Sequence, residues 1–193
     1  MEINALPFQV HPLAKEILFE HYRACLKIFG DVLGLLEVDY LAITIISPEN
    51  ELLFFSSEPQ VDYMIIEEGL WHLDLCYQAP FFQRHQPESW ETLYPRDNNN
   101  RLRYFKQELH SYSTGVTIPA LFNEYRVLYS FALVSHDTTI QRLFHQNTQK
   151  LMRMGQYCLL NIMNTVSLPN ARAIHENRKS QFKLIVNSRV SDE

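Results

Sequence analysis

Residues 39–57 read DYLAITIISPENELLFFSS, and this stretch decides the fold. Tyr40 to Ile46 is apolar and rich in β-branched residues, Pro48-Glu49-Asn50-Glu51 has the composition of a turn, and Leu52 to Ser56 is a second apolar run. This pattern predicts a β-hairpin. Because both strands are apolar on each face, the sheet is covered on both sides, or covered on one side and facing a cavity on the other.

Helices are predicted before and after this hairpin. The first runs from His11 to about Gly34, with apolar residues recurring at helical spacing. A short amphipathic helix from Arg101 to Tyr112 follows later in the chain. Its apolar face contains Leu102, Phe105 and Leu109.

A second hairpin comes next. The sequence GVTIPALF predicts a strand from Gly115 to Phe122, in which Pro119 indicates a bulge or an edge position. Four residues, NEYR, form a turn, and a second strand runs from Val127 to Ser135. The sheet therefore contains at least two antiparallel hairpins.

A long last helix completes the pattern. Asp137 or Thr138 can cap it, and it reaches about Val166 before Pro169 ends it. The order helix, hairpin, irregular segment, helix, hairpin, helix predicts an α+β fold, an α-β-α sandwich with helices on both faces of one sheet. The expected organisation is one domain, 1–167, and a mildly basic C-terminal tail or linker, 168–193.

Composition narrows the function classes. The chain has 193 residues, 46% of them hydrophobic and 12% aromatic, which is typical of a well-packed globule. A net charge of −5 provides no basic field for nucleic acid or an anionic membrane. Cys25, Cys76 and Cys158 form no CxxC pair, so we expect buried free thiols in a reducing compartment. With neither a signal peptide nor a membrane span in view, the expected location is the cytoplasm.

The segment from Tyr63 to Trp90 is irregular and rich in aromatic residues. One glycine and two prolines interrupt it, and such a segment inside a small domain indicates that it encloses something. Asp74 is an acceptor-only carboxylate between the indoles of Trp71 and Trp90, a set suited to orienting a small, mostly apolar ligand. The alternative is that both tryptophans are core residues and Asp74 is a helix N-cap or a surface residue.

Enzyme signatures are missing from the sequence. There is no GxSxG, no HExxH and no glycine-rich phosphate loop, and the chain has five glycines. His72 beside Asp74 or Cys76 is too isolated for a metal site, and no third group is evident to orient a Cys76–His72 pair. We therefore expect a protein that is not an enzyme and has neither metal nor cofactor.

Three features together carry a resemblance to a known family. Fifteen residues separate Asp74 from Trp90, and YFKQELHSYSTGVTIPALFNEY places Phe105, Gly115 and Pro119 in a helix-to-strand pattern. The strand VLYSFALVS and the long last helix then follow in order. With these features the chain resembles the N-terminal autoinducer-binding domain of LuxR-type quorum-sensing transcription regulators, over about Leu13 to Val166.

The resemblance implies a roughly five-stranded antiparallel sheet between helices, with a small amphipathic effector bound on one face of the sheet. Asp74 would accept a hydrogen bond from the amide N–H of an acyl-homoserine lactone, and Trp90 would wall the head-group pocket. Gly115 would allow backbone to pack closely against backbone. The remaining candidate ligand contacts are Tyr63 and Trp71 for carbonyl groups of the ligand, and Thr44 and Ser130 as hydroxyls from the sheet.

The chain departs from the family pattern at three points. Leu75 replaces the usual proline after the aspartate, and Val61 and Ile65 stand where a W-x-x-x-Y pair would fall, so the alternatives are a different ligand or none. The 27 residues after Val166 would not hold a helix-turn-helix domain of about 60 residues. The chain as given is therefore expected to make no direct DNA contact, either as part of a truncated regulator or as a free-standing sensor.

The prediction is a sensing domain in which ligand binding is coupled to folding or to dimerisation, as a homodimer or heterodimer, without a membrane partner. The alternative is a ligand-free interaction module or antagonist that heterodimerises with full-length regulators.

Overall fold

A computed structural model describes residues 8–95 and 101–166. A six-stranded sheet forms the centre of this part of the chain. Its strands are, in spatial order, β1 (Gln9–Val10), β3 (Glu51–Ser56), β2 (Tyr40–Ile46), β6 (Tyr125–Leu133), β5 (Thr114–Phe122) and β4 (Glu88–Ser89). β1 is parallel to β3, and the other neighbouring pairs are antiparallel. The prediction of about five antiparallel strands is corrected to six strands with one parallel pair. The two-residue strands at the edges are too short to produce a sequence pattern.

Helices and turns fill the rest of the described chain. The α-helices are α1 (Ala14–Glu20), α2 (Tyr22–Gly30), α3 (Pro59–Glu67), α4 (Ala79–Arg84), α5 (Trp90–Leu93), α6 (Arg101–Arg103), α7 (Thr138–Gln146) and α8 (Thr148–Thr165). Short 3₁₀ turns cover Leu35–Glu37, Leu70–Leu73 and Leu75–Tyr77. The predicted α+β class is confirmed, and no helix in the described ranges has the length and apolar character needed to cross a membrane.

The chain separates into two compact units, Met1–Ile162 and Met163–Glu193, and the sheet lies in the first. Of the second unit only 163–166 is described. The predicted role of Pro169 and the predicted tail, 168–193, therefore lie outside the described residues.

The strand register gives the sheet two chemically different faces. Tyr40 is paired with Ala132, Thr44 with Leu128, and Thr117 with Ser130, so these side chains point to the same side of the sheet. We call this side the hydroxyl face, after its buried hydroxyl residues Tyr40, Thr44, Ser56, Thr117 and Ser130. The opposite side, the apolar face, carries Leu41, Ile43, Ile45, Val127, Tyr129 and Phe131.

Helix α8 packs on the apolar face. A Cβ atom added to Gly155 would lie 2.5 Å from Cδ1 of Tyr129, so the helix backbone lies directly on the tyrosine ring. On the hydroxyl face, Trp90 of α5 contacts Tyr40, with 5.9 Å between ring centroids. Helices therefore cover both faces, as predicted.

Both long helices of the prediction are broken. The first stops at Glu20 and restarts at Tyr22, because His21 has non-helical dihedral angles of −98° and 4°. The last is capped by Asp137, one of the two predicted cap residues, which accepts from the backbone N–H groups of Thr139 and Ile140. It is interrupted at Asn147, which has non-helical dihedral angles of −103° and 27° and whose side chain also donates to the carbonyl of Leu143.

The helix predicted for Arg101 to Tyr112 is mostly a π-helix. After α6, Tyr104–Glu108 forms a π-helical turn, with i to i−5 hydrogen bonds from Leu109 N to Tyr104 O and from Tyr112 N to Gln107 O, each 2.9 Å long. The wider turn shifts the buried face. Leu109 is 50% exposed, contrary to the prediction, whereas Lys106 and Gln107 are buried.

Pro119 occupies an edge position in β5, in agreement with one of the two predictions for it. The neighbouring strand β4 is paired only with Val116 and Thr117, so Pro119 faces the unpaired part of this edge. A proline removes no ladder hydrogen bond at such a position.

Candidate functional site

A buried carboxylate forms the centre of the candidate site. Asp74 has an exposed fraction of 0%, and its Oδ2 atom lies 2.7 Å from Nζ of Lys106. The Tyr94 hydroxyl lies 3.1 Å from Oδ1 and 3.0 Å from Oδ2, and the backbone N–H of Cys76 donates to Oδ1 at 3.0 Å. Lys106 also donates to the Tyr94 hydroxyl at 2.8 Å. We call Asp74, Cys76, Tyr94 and Lys106 the Asp74 cluster.

Irregular local structure brings these groups together. Asp74 lies between the 3₁₀ turns Leu70–Leu73 and Leu75–Tyr77, in an extended conformation, and it is the N-cap of the second turn. Gly69 starts the first turn with a φ of 66°, a left-handed conformation that glycine adopts without strain. Of the alternatives considered for Asp74, the N-cap assignment is confirmed and the surface assignment is wrong.

The positive charge of Lys106 balances the negative charge of Asp74 within the cluster. Burial lowers the pKa of Lys106, but the negative charge of Asp74 and its hydrogen bond raise it by more. The pKa is therefore above its usual value, and the ammonium is charged at neutral pH. Burial, followed by the negative charge of Asp74, raises the pKa of Tyr94 and of Cys76 well above their usual values. Tyr94 therefore remains a hydrogen-bond donor, and Cys76 remains an unreactive thiol.

Trp90 links the cluster to the hydroxyl face. Its indole N–H donates to Oγ1 of Thr117 at 3.1 Å, and Thr117 Oγ1 lies 3.1 Å from Oγ of Ser130. Lys106 Nζ is 5.9 Å from the Trp90 ring centroid and 4.9 Å from that of Tyr94. A chain of polar contacts thus runs from the buried ion pair to the middle of the sheet.

Gly115 makes room for Trp90. A Cβ atom added to Gly115 would lie 2.5 Å from Cε3 and 2.7 Å from Cε2 of the indole. The close approach expected at this glycine is present, but the prediction of backbone against backbone is corrected: an aromatic side chain packs on the glycine.

The predicted site residues do not all lie together. Asp74, Trp90, Gly115 and Ser130 converge through the contacts just described. Thr44 lies elsewhere on the hydroxyl face, where its hydroxyl is 3.2 Å from that of Tyr77.

The other two predicted residues have different neighbours. Trp71 is half-buried and makes an edge-on contact with His72, at a centroid distance of 5.9 Å. Tyr63 is also half-buried, and its ring packs on Phe19 and beneath the ammonium group of Lys15, in the contact between α1 and α3. The structure therefore places these two rings outside the Asp74 cluster.

Sequence reasoning missed three residues of this region. Tyr94 and Lys106 complete the cluster, and Gln107 is buried with an exposed fraction of 1%. Neither the Oε1 nor the Nε2 atom of Gln107 has a hydrogen-bond partner among the described residues. The spacing of Tyr94 four residues after Trp90 was a usable signal, whereas only the π-helical turn buries Lys106 and Gln107.

The described residues contain no group of three or more His, Cys, Asp or Glu side chains placed to hold a metal ion. A groove of about 290 Å³ opens between α4 and α5, with Leu75, Phe81 and Leu93 among its lining residues. None of the seven predicted ligand-binding residues lines this groove.

Comparisons with known proteins give the fold. No protein-family model and no curated protein sequence matches this chain. Escherichia coli SdiA superposes with a TM-score of 0.50 at 15% identity, covering 82% of this chain and 71% of SdiA. SdiA in complex with octanoyl-rac-glycerol gives a TM-score of 0.52 at 14% identity, covering 82% of this chain and 69% of that chain.

A second regulator has a similar structure. CepR2 from Burkholderia cenocepacia, an N-acylhomoserine lactone-dependent LuxR-family transcription factor, gives a TM-score of 0.51 at 9% identity, covering 78% of this chain and 98% of that chain. This chain therefore has the fold of the LuxR-family autoinducer-binding domains, as its motifs predicted.

Proposed function

We propose that this chain is the small-molecule-sensing domain of a LuxR-type transcription regulator. The effector would lie between the hydroxyl face and the layer formed by α3 to α5 and the π-helical turn. The observation that carries the proposal is the fully buried Asp74 cluster next to the hydroxyl face. Buried polar groups at one side of a sheet, beside aromatic rings, are typical of a ligand site with a few orienting contacts.

The candidate site residues would contact different parts of the effector. The Asp74 cluster and Trp90 would hold the polar head group, and Gly115 would keep the indole in place. Thr44 and Ser130 would contact the effector from the sheet. Trp71 and Tyr63 would contact carbonyl groups of the effector from outside the Asp74 cluster.

The solved structures support a small amphipathic effector. The structure of one similar protein is in complex with octanoyl-rac-glycerol, and another is described as N-acylhomoserine lactone-dependent. In both compounds an acyl chain carries a polar head. A ligand of this class that binds only the folded state would stabilise it by about 2.7 kcal/mol at a hundredfold excess over Kd. Sensing would thus be coupled to folding or dimerisation in a cytoplasmic regulator that performs no catalysis.

Thermal unfolding with a panel of acylated signals tests this proposal. We expect one class of compound to raise Tm saturably, and Thr44→Val to weaken that response by removing a hydroxyl from the hydroxyl face. Thr139→Val is the matched control, because Thr139 is exposed on α7. A panel without any shift, or equal responses in both variants, would contradict the proposal.

A ligand-free interaction module is the second candidate. It is favoured by the Asp74 carboxylate, whose hydrogen bonds are all made within the chain. A protein that is stable alone, shows no response to the panel, and forms a heterodimer with a full-length regulator in size-exclusion chromatography would support this candidate.

A further inference from the structure

Both oxygens of the buried Asp74 carboxylate already accept hydrogen bonds within the chain. Oδ1 accepts from the Cys76 N–H and from the Tyr94 hydroxyl, and Oδ2 accepts from the same hydroxyl and from Lys106. The Tyr94 hydroxyl has one proton, which is shared between the two oxygens, so three donors surround a carboxylate with an exposed fraction of 0%. An N–H group that entered the site would meet these three donors before it reached Asp74.

The Lys106 ammonium of the cluster can still donate a hydrogen bond. Nζ of Lys106 has three N–H bonds, and Asp74 Oδ2 and Tyr94 Oη accept two of them. No acceptor for the third is found among the described residues. A head group with hydroxyl or ester oxygens can accept from this third N–H bond.

We propose that Lys106 permanently supplies the hydrogen-bond donor that Asp74 would otherwise take from an effector, so that the site selects acyl compounds with an oxygen-only head group, such as acylglycerols, over acyl amides. This inference rests on the proposed function and names its ligand class. An amide N–H that took the place of Lys106 at Oδ2 would leave a buried ammonium without its counter-ion. We expect this displacement to weaken binding about 10- to 100-fold in Kd.

Two ligands with the same acyl chain provide the test. Tm is measured for the wild-type chain with 1-octanoyl-rac-glycerol and with N-octanoyl-L-homoserine lactone. At a hundredfold excess over Kd, the glycerol ester should raise Tm by about 5–10 °C. The lactone should have little effect at the same concentration. In Lys106→Met the preference should reverse, because the amide N–H can then pair with the exposed oxygen of Asp74.

Two further variants complete the design. Lys27→Met is the matched control, since Lys27 is exposed on α2, and it should keep the wild-type preference. If Lys106→Met does not fold, the Asp74→Asn/Lys106→Met double variant replaces it. Its neutral pair leaves an amide oxygen free to accept from the lactone, so it should lose the preference for the ester.

The outcomes separate the two proposals. Equal or stronger stabilisation of the wild type by the lactone would overturn the inference and leave the sensing function in place. An unchanged preference for the ester after removal of Lys106 would do the same. If neither compound stabilises the wild type or any variant, the proposed function and the inference both fail.

Discussion

At the scale of single residues, Gly115 is a position where one methyl group decides whether Trp90 can pack. Gly115→Ala would place a Cβ atom in overlap with the indole, so we expect a loss of about 1–3 kcal/mol in the free energy of unfolding. Gly30→Ala is the matched control, since nothing lies within 4 Å of its added Cβ. In urea unfolding the control should equal or exceed wild-type stability, and equal losses in both would contradict this packing.

Lys106 neutralises a buried charge. Lys106→Met would leave the buried Asp74 without its cation, at an expected cost of about 3–5 kcal/mol in the free energy of unfolding. Asp74→Asn/Lys106→Met should recover much of this loss, because the uncharged pair needs no counter-ion. A double-mutant cycle from denaturant titrations measures the coupling, and additive losses would show that the two side chains are not paired.

Asp62 should destabilise the folded chain at neutral pH. Burial raises its pKa, against the lowering effects of the Ser56 hydroxyl and the Lys106 charge. A carboxyl whose folded pKa is raised contributes stability below its unfolded pKa of about 3.9, and loses it as pH rises through the folded value.

Asp62→Asn should therefore raise Tm relative to wild type at pH 7, while the Tyr40 hydroxyl, 3.2 Å away, keeps an acceptor. The gain should shrink as pH falls towards 4. Tm measured from pH 4 to 8 checks this, and a difference that stays constant with pH would rule out the titration of Asp62 as its cause.

At the scale of elements, the π-helical turn can be tested with two leucines seven residues apart. Helical periodicity places Leu102 and Leu109 on one face, but the structure buries Leu102 and exposes half of Leu109. Leu102→Ala should cost about 2–5 kcal/mol, whereas Leu109→Ala should change the free energy of unfolding by about 0.5 kcal/mol or less. Similar costs in urea titrations would indicate a regular α-helix instead.

The same turn shows where periodicity stops being informative. Lys106 and Gln107 are polar residues in an amphipathic pattern, and a regular helix would put them near solvent. The i to i−5 hydrogen bonds rotate them inwards, and no residue type in the sequence demands that wider turn. The breaks at His21 and Asn147 are likewise not marked by proline or glycine, so both long helices were predicted without interruption.

At the scale of the whole molecule, the three thiols report on the integrity of the packing. Cys25, Cys76 and Cys158 are free and buried. Burial raises the pKa of Cys25 and of Cys158 to about 12, so at pH 8 only about one thiol in ten thousand is a thiolate. Mass spectrometry after iodoacetamide treatment should find no modified cysteine in the native chain and three after denaturation. Rapid labelling of the native chain would contradict the described core.

The sequence by itself determined the two hairpins, the helices on both faces and a helix cap at Asp137 or Thr138, and it singled out Asp74, Trp90 and Gly115 as candidate site residues. These features depend on local pattern and on residue type, which the chain displays directly. Only the tertiary structure decided that Lys106 and Tyr94 surround Asp74, that the hydroxyls share one face, and that Tyr63 packs on α1. The reason is physical: a buried charge is defined by its partner, and the partner of Asp74 lies 32 residues away in a turn whose geometry is set by packing.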